Sequence, residues 1–253
     1  MKSKSETFCL KLVIAYDGGA YFGWQRQPNG MSVQQRIEEV LEKLCGQHVN
    51  VYGASRTDTG VHALGMVAHI EWSKISLAIP ELHRALNALL PEDLRVLAIA
   101  RAAQSFHARF DAVSKLYRYR ILNSPIGDPF RRGASWFIPQ KLNVTAMREA
   151  AAFFVGKHNF SSVAVNPGYE RTTMVRHIHR CAVIKKSDEV HVEIEGDGFL
   201  YKMVRTIVGT LVEVGYKRRT SESVRELLKS RDRRLAGQTA PAHGLFLVRV
   251  RYR

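Results

Sequence analysis

Ser55-Arg56-Thr57-Asp58-Thr59-Gly60-Val61-His62 lies between two apolar runs, Val49 to Ala54 and Met66 to Trp72. The flanks read as strands and the polar octet as the loop that joins them, carrying one carboxylate, one guanidinium and a turn glycine. Reactive groups between two strands sit on a rigid support. The same Thr-Asp-Thr-Gly is also an ordinary turn, in which Asp58 caps its own backbone and Gly60 supplies a positive φ. The loop alone leaves both readings open.

Outward from the loop, the pattern repeats. Upstream, Phe8 to Tyr16 reads as a strand ended by the Asp17-Gly18-Gly19 turn, and Tyr21-Phe22-Gly23-Trp24-Gln25 as an aromatic loop that either packs a core edge or stacks on a base. Ser32 with Gln35 makes a capping box, and Val33, Ile37, Val40, Leu41 and Leu44 recur at helical spacing until Gly46. Downstream, Pro80 to Leu90 predicts a helix and Leu94 to Ala100 a strand. Strand, helix, strand, strand, helix, strand is the ferredoxin-like split βαβ order.

The second half is read the same way. Lys115 to Ile121 alternates as a strand, Val144 to Val155 gives a helix closed by Gly156, and His179 to Lys185 and Val190 to Glu195 give two strands. A long apolar helix follows over Phe199 to Val214, then a short one over Ser221 to Ser230 and a last strand over Gly244 to Tyr252. The expected fold class is therefore α+β, two ferredoxin-like (RRM-like) βαββαβ halves over residues 1–104 and 105–253. Their duplication rests on element order alone.

The 253 residues hold 38 Lys and Arg against 23 Asp and Glu, a formal charge of +15. Such an excess favours a polyanionic partner, although a solvated basic surface accounts for the same number. Nucleic acid fits better than membrane, because no run approaches the roughly 18 apolar residues that span a bilayer. The polar start, Met1 to Glu6, has no secretory apolar region, so a cytoplasmic location is expected. Cys9, Cys45 and Cys181 are scattered within apolar patterns and suit reduced thiols. His177 and His179 share a strand face, but no second ligand pair lies near them in sequence, so no metal is expected.

Arg205 lies inside the apolar helix with Met203, Val204, Ile207, Val208, Leu211 and Val212, so its guanidinium is expected to be at least partly buried. Burying an unpaired arginine costs several kcal/mol, which calls for a carboxylate from elsewhere. Asp58 is one candidate; pairing with Asp197 or snorkelling to solvent are the others. Tyr117 and Tyr119 share one strand face, as core or as a platform for a base, and the interleaved arginines tilt that face toward RNA. Phe106-His107-Ala108-Arg109-Phe110 mixes rings and charge in the same way, suited to touching phosphates or to bridging the halves.

Arg56-Thr57-Asp58-Thr59-Gly60-Val61-His62 resembles the signature loop of the tRNA pseudouridine synthase A family. The likeness extends through Tyr21 to Gln25, Phe106 to Phe110, Lys115 to Tyr119, Gly156 to Phe160, Gly198 to Arg205 and Ala240 to Leu245, and so covers nearly the whole chain. It implies that Asp58 is the catalytic aspartate, that Tyr117 lies against the target base, and that Arg205 ion-pairs with the aspartate. It also implies that Arg56 helps extrude the target nucleotide and that Leu245 lines the uracil pocket. The family fold is two ferredoxin-like halves joined into one mixed sheet with a central catalytic cleft, working as a homodimer that cradles tRNA. Its targets are uridines 38, 39 and 40 of the anticodon stem-loop. Two departures stand out: Ser55 where the family commonly has Gly, which leaves the loop shape there in question, and Val163 where an aromatic is usual.

The implied reaction detaches uracil from ribose, turns it and rejoins it through C5. Nothing is oxidised and no group leaves, so no cofactor or metal is required. A carboxylate suffices, as nucleophile or as base. A non-catalytic RNA-binding protein built of two RRM-like halves would explain the charge but gives Arg205 no task. A two-carboxylate glycosidase lacks a second acid beside an equally equipped loop.

Overall fold

The computed structural model describes residues 8–72, 77–166, 168 and 173–253. Among them are ten strands and five α-helices. In chain order these are β1 (Phe8–Tyr16), α1 (Val33–Cys45), β2 (Tyr52–Gly53), β3 (His62–Trp72), α2 (Ile79–Leu89), β4 (Leu94–Ala102), β5 (Ser114–Leu122), β6 (Trp136–Phe137), α3 (Val144–Ala152), β7 (Gly156–Asn159), β8 (Val175–Lys186), β9 (Glu189–Gly196), α4 (Met203–Gly215), α5 (Ser223–Ser230) and β10 (Leu245–Arg251). The chain forms two compact units, residues 1–113 with 247–253 and residues 114–246. No helix among the described residues is long and apolar enough to cross a membrane.

In the first unit β1 is central, antiparallel to both β3 and β4, and β2 pairs with β3 on the side away from β1. The strand order 4-1-3-2 places sequence-distant β1 and β4 side by side, which hairpins alone cannot do. Leu10, Leu12, Ile14, Met66 and Ile70 alternate onto one face and are fully buried, as are Val33, Ile37 and Leu41 of α1 and Leu86 of α2. Burying side chains of this kind stabilises a fold by about 1.5–3 kcal/mol each, which is why two amphipathic helices settle on one sheet face. The α1 start holds half of the expected capping box: Ser32 Oγ accepts from the Gln35 amide, whereas the Gln35 side chain donates to Glu39 at 3.0 Å; Gly46, in the left-handed region, ends the helix.

In the second unit β5, β9, β8 and β7 form an antiparallel run with β6 parallel to β5. Tyr119, Ile121, Val190, Val192 and Ile194 face one way and are buried. The opposite face is polar: Arg118 pairs with Glu193 at 2.7 Å and Arg120 with Glu189 at 2.8 Å. The Glu189 carboxyl is held at about 2, because bonds from Arg120 and His191 outweigh a burial that opposes ionisation.

Several boundaries differ from those expected. Val49 to Ala54 contributes only Tyr52–Gly53 as strand, since Trp24 packs directly on Gly53 and leaves a short pairing. The helix predicted over Val144 to Val155 stops at Ala152, and Gly156, instead of capping it, opens β7. The helix predicted from Phe199 begins at Met203, because Lys202 adopts a left-handed backbone just before it. The short strands β6 and β7 carry too few residues to show a period. The three cysteines are free thiols.

Candidate active site

The loop that carries Arg56 and Asp58 is held by backbone. The Thr57 carbonyl accepts from Trp24 N at 3.1 Å, Thr57 Oγ1 shares a 2.8 Å hydrogen bond with Tyr16 Oη, and Val61 N closes a turn on the Asp58 carbonyl at 3.1 Å. Gly60, at φ 77°, lets that turn close, as its sequence position suggested. Gly23 matters more. Its φ is 82°, and a Cβ there would lie 2.5 Å from the Thr57 carbonyl oxygen, so the aromatic segment and the loop touch only because residue 23 has no side chain. Tyr21 and Trp24 are accordingly core, which decides for packing at those two rings, whereas Phe22 is exposed. The Tyr21 hydroxyl donates to Asp93 at 2.6 Å, and burial together with that carboxylate raises its pKa.

Within this frame Thr57 is buried, Asp58 half-buried and Arg56 exposed. The loop thus offers a carboxylate at its rim and a guanidinium beyond it. Ser55 has no positive φ, so the backbone here is one that serine adopts readily and the departure from glycine leaves the loop unstrained. At the start of β3, buried His62 accepts from Gly18 N at 3.1 Å and lies 3.1 Å from Asp17.

The second unit holds the other three candidates, two of which, Arg205 and Leu245, adjoin one short segment. Arg205, half-buried on α4, donates from Nε to the Ala240 carbonyl at 2.8 Å, and Ala240 N returns a bond to the Arg205 carbonyl at 3.1 Å. Tyr119 donates to the Pro241 carbonyl at 2.8 Å; burial raises its pKa, with the Arg205 charge pulling the other way. Thr210 Oγ1 accepts from Gly237 N at 3.1 Å and fastens the start of the same segment to α4. The segment then runs into Leu245, which is buried.

Tyr117, two residues from Tyr119 and on its face, is also buried and meets Phe199 edge to face at 5.0 Å. The arginines between these tyrosines point to the other face and are tied to glutamates, so they do not make the tyrosine face basic. Val163, where the resemblance implies an aromatic, is fully buried.

Sequence reading missed the buttress behind the first loop, because a close approach of two backbones leaves only a glycine as its trace. It also missed the ring cluster around His69, which strand register sets opposite Tyr52 and which His107 joins at 4.7 Å. His177 and His179 meet edge to face at 4.5 Å, and among the described residues no group of three His, Cys, Asp or Glu side chains is placed to hold a metal ion.

A family model described as tRNA pseudouridine synthase matches residues 12–111 and 150–253. The chain belongs to the tRNA pseudouridine synthase family. It is similar to the tRNA pseudouridine synthase A of Thermoanaerobacter sp. strain X514, 42% identical over 96% of this chain and 99% of that one. The corresponding protein of Geotalea daltonii is 44% identical over the same shares, and tRNA pseudouridine synthase A 1 of Protochlamydia amoebophila is 41% identical over 96% of each chain. Membership makes the chain an isomerase. The matched stretches take in Arg56, Asp58, Arg205 and Leu245 and leave Tyr117 between them, so the reading of Tyr117 rests on the resemblance of Lys115 to Tyr119 alone.

Proposed function

We propose that the protein isomerises uridine to pseudouridine in the anticodon stem-loop of tRNA, at positions 38, 39 and 40, with Asp58 as the catalytic residue. The observation that carries this reading is the family match across the loop that holds Asp58. The C1′–N1 bond of the target breaks, the uracil turns, and a C1′–C5 bond forms; C5 gives up its proton and N1 takes one. Electrons balance within the substrate, so no oxidant, cofactor or metal enters.

Asp58 attacks C1′ or removes the C2′ proton, and either role requires the carboxylate ionised. Arg205 pairs with Asp58 and keeps it so as the base enters and water leaves. Tyr117 lies against the uracil and Leu245 lines its pocket. Arg56, exposed at the loop rim, helps extrude the target nucleotide, whose unstacking costs on the order of a few kcal/mol. The fold read here is ferredoxin-like, a reading supported in the first unit by its 4-1-3-2 strand order. The working form is a homodimer in the cytoplasm.

Asp58→Asn keeps the shape of the side chain and removes its charge. With tRNA carrying tritium at uridine C5, the variant is expected to release no tritium while still binding the tRNA. Turnover by Asp58→Asn near the wild-type rate would overturn the assignment.

A further inference from the structure

The turn His107 to Asp111 is built to display two side chains. Six hydrogen bonds fix it: His107 N donates to Asp111 Oδ2 at 2.8 Å and Asp111 N to the His107 carbonyl at 3.0 Å, Arg109 N and Phe110 N both donate to His107 Nδ1, Ala108 N donates to His69 Nδ1 at 3.1 Å, and Tyr252 Oη to the Ala108 carbonyl at 2.7 Å. Ala108 is fully buried, yet Phe110 next but one is 74% exposed and Arg109 is exposed. A single exposed ring is ordinary on a protein surface, but one whose backbone is fixed by these bonds is presented in a set orientation.

Behind the ring runs a stack. Phe110 lies 4.2 Å from His107 at 33°, His107 lies 6.2 Å from Tyr52, and Tyr52 stacks on His69 at 5.0 Å. Cations border it: the Arg109 guanidinium is 5.6 Å from the Phe110 centroid, and Lys11 sits 4.4 Å over Tyr252. The Asp111 carboxylate is engaged by the His107 amide.

We infer that this turn is a second RNA contact, in which Phe110 stacks on an unpaired base of the tRNA and Arg109 takes the adjoining phosphate. The inference rests on the tRNA reading above and deepens it. Aromatic stacking tolerates any base, because every base has a π-face, and a neighbouring guanidinium adds the charge that a phosphate seeks. The other strongly exposed ring, Phe130 at 96%, shows the contrast. Its neighbour Arg131 is bound by Asp128 at 2.8 Å, Asp188 at 2.9 Å and Glu189 at 3.5 Å, and Arg132 turns back on the Pro129 carbonyl at 3.3 Å.

The test measures binding of an in vitro transcribed tRNA to the full-length protein, with tritium release from the same tRNA recorded in parallel. Phe110→Ala is expected to weaken binding about 5- to 100-fold without moving the melting temperature, and Phe110→Trp to restore it. Arg109→Ala should weaken binding and lower the slope of log affinity against log salt by about 1. Phe130→Ala should bind as the wild type does. Wild-type binding and turnover with unchanged affinity in Phe110→Ala overturns the contact and leaves the isomerase reading standing. A changed sedimentation of Phe110→Ala with tRNA affinity intact overturns it in favour of a protein interface. A wild type that neither binds tRNA nor releases tritium overturns the isomerase reading itself.

Discussion

The loop from Ala54 to Val61 and the turn from His107 to Asp111 each carry a guanidinium near a carboxylate in the first unit, but they are fixed by different materials. The loop is held chiefly by main chain against main chain, with Gly23 allowing the contact and Trp24 N bound to the Thr57 carbonyl, beside one side-chain bond from Thr57 to Tyr16. The turn, apart from one backbone bond from Asp111 N to the His107 carbonyl, is held by side chains, chiefly two imidazoles and a phenol. Backbone contacts leave few rotamers to relax, so they suit a group that must meet a reacting atom within a fraction of an ångström. Side-chain fasteners suffice for a contact that has only to be presented. They also respond to protons, whereas amides and carbonyls do not.

The largest break of this contrast is Gly23→Ala. The substitution forces an L-residue into φ 82° and drives its Cβ to 2.5 Å from the Thr57 carbonyl, so the stability loss expected is about 2–5 kcal/mol. Tritium release should fall more than tRNA affinity does, because the displaced group is the loop that holds Asp58. Equal losses in both, measured at a temperature where the variant is folded, would show that the loop positions nothing.

Acid should act on the turn first. Burial lowers the pKa of His69, and the neighbouring His107 lowers it further. A histidine whose folded pKa lies below its usual 6.5 stabilises the fold through its neutral form. Its contribution is complete above about pH 6.5 and is lost as pH falls from there through the folded value. His69→Leu, which also leaves Ala108 N without its acceptor, should cost about 1–3 kcal/mol at pH 7 and flatten the melting temperature between pH 7 and pH 5. An unchanged pH profile in that variant would remove His69 as the fastener.

Tyr252→Phe is milder. It deletes one hydrogen bond to Ala108 and keeps the ring beside Phe106 and Lys11, so about 1 kcal/mol of stability should go. If the turn contacts RNA, tRNA affinity should drop in this variant with no change in the rate of the bound complex.

How much of this was legible in the sequence follows from the same division. Periodic elements were readable because burial imposes a period: β1 runs from Phe8 to Tyr16 and α1 begins after Ser32, both as read. The residues on the loop and on α4 were readable as candidates, since Asp58 follows a strand pattern and Arg205 interrupts an apolar stripe. The fasteners were not. Gly23 looked like a spacer within an aromatic loop, because its role depends on a carbonyl 34 positions away. His69 sat inside a strand pattern whose register with β2 no local spacing reveals. The arginines of β5 misled, because their alternation with the tyrosines was visible and the glutamates that bind them from β9 were not.

The smallest effect is expected where the sequence raised the most specific question. Ser55 replaces the glycine usual in the family, and glycine there would suggest a conformation that serine resists. The backbone at 55 has no positive φ, so the loop does not use that freedom in this chain. Ala54 N, one residue earlier, is bonded to the Val67 carbonyl at 2.8 Å, which ties the entry to the loop into β3 whatever side chain follows. Ser55→Gly should therefore leave tritium release within about twofold of the wild type. Its stability should fall by about 0.5 kcal/mol, since glycine has more conformations to lose on folding. A gain in rate would mean that the loop must flex during the reaction and that serine restrains it, and the backbone clamp at Gly23 would then be holding a moving part.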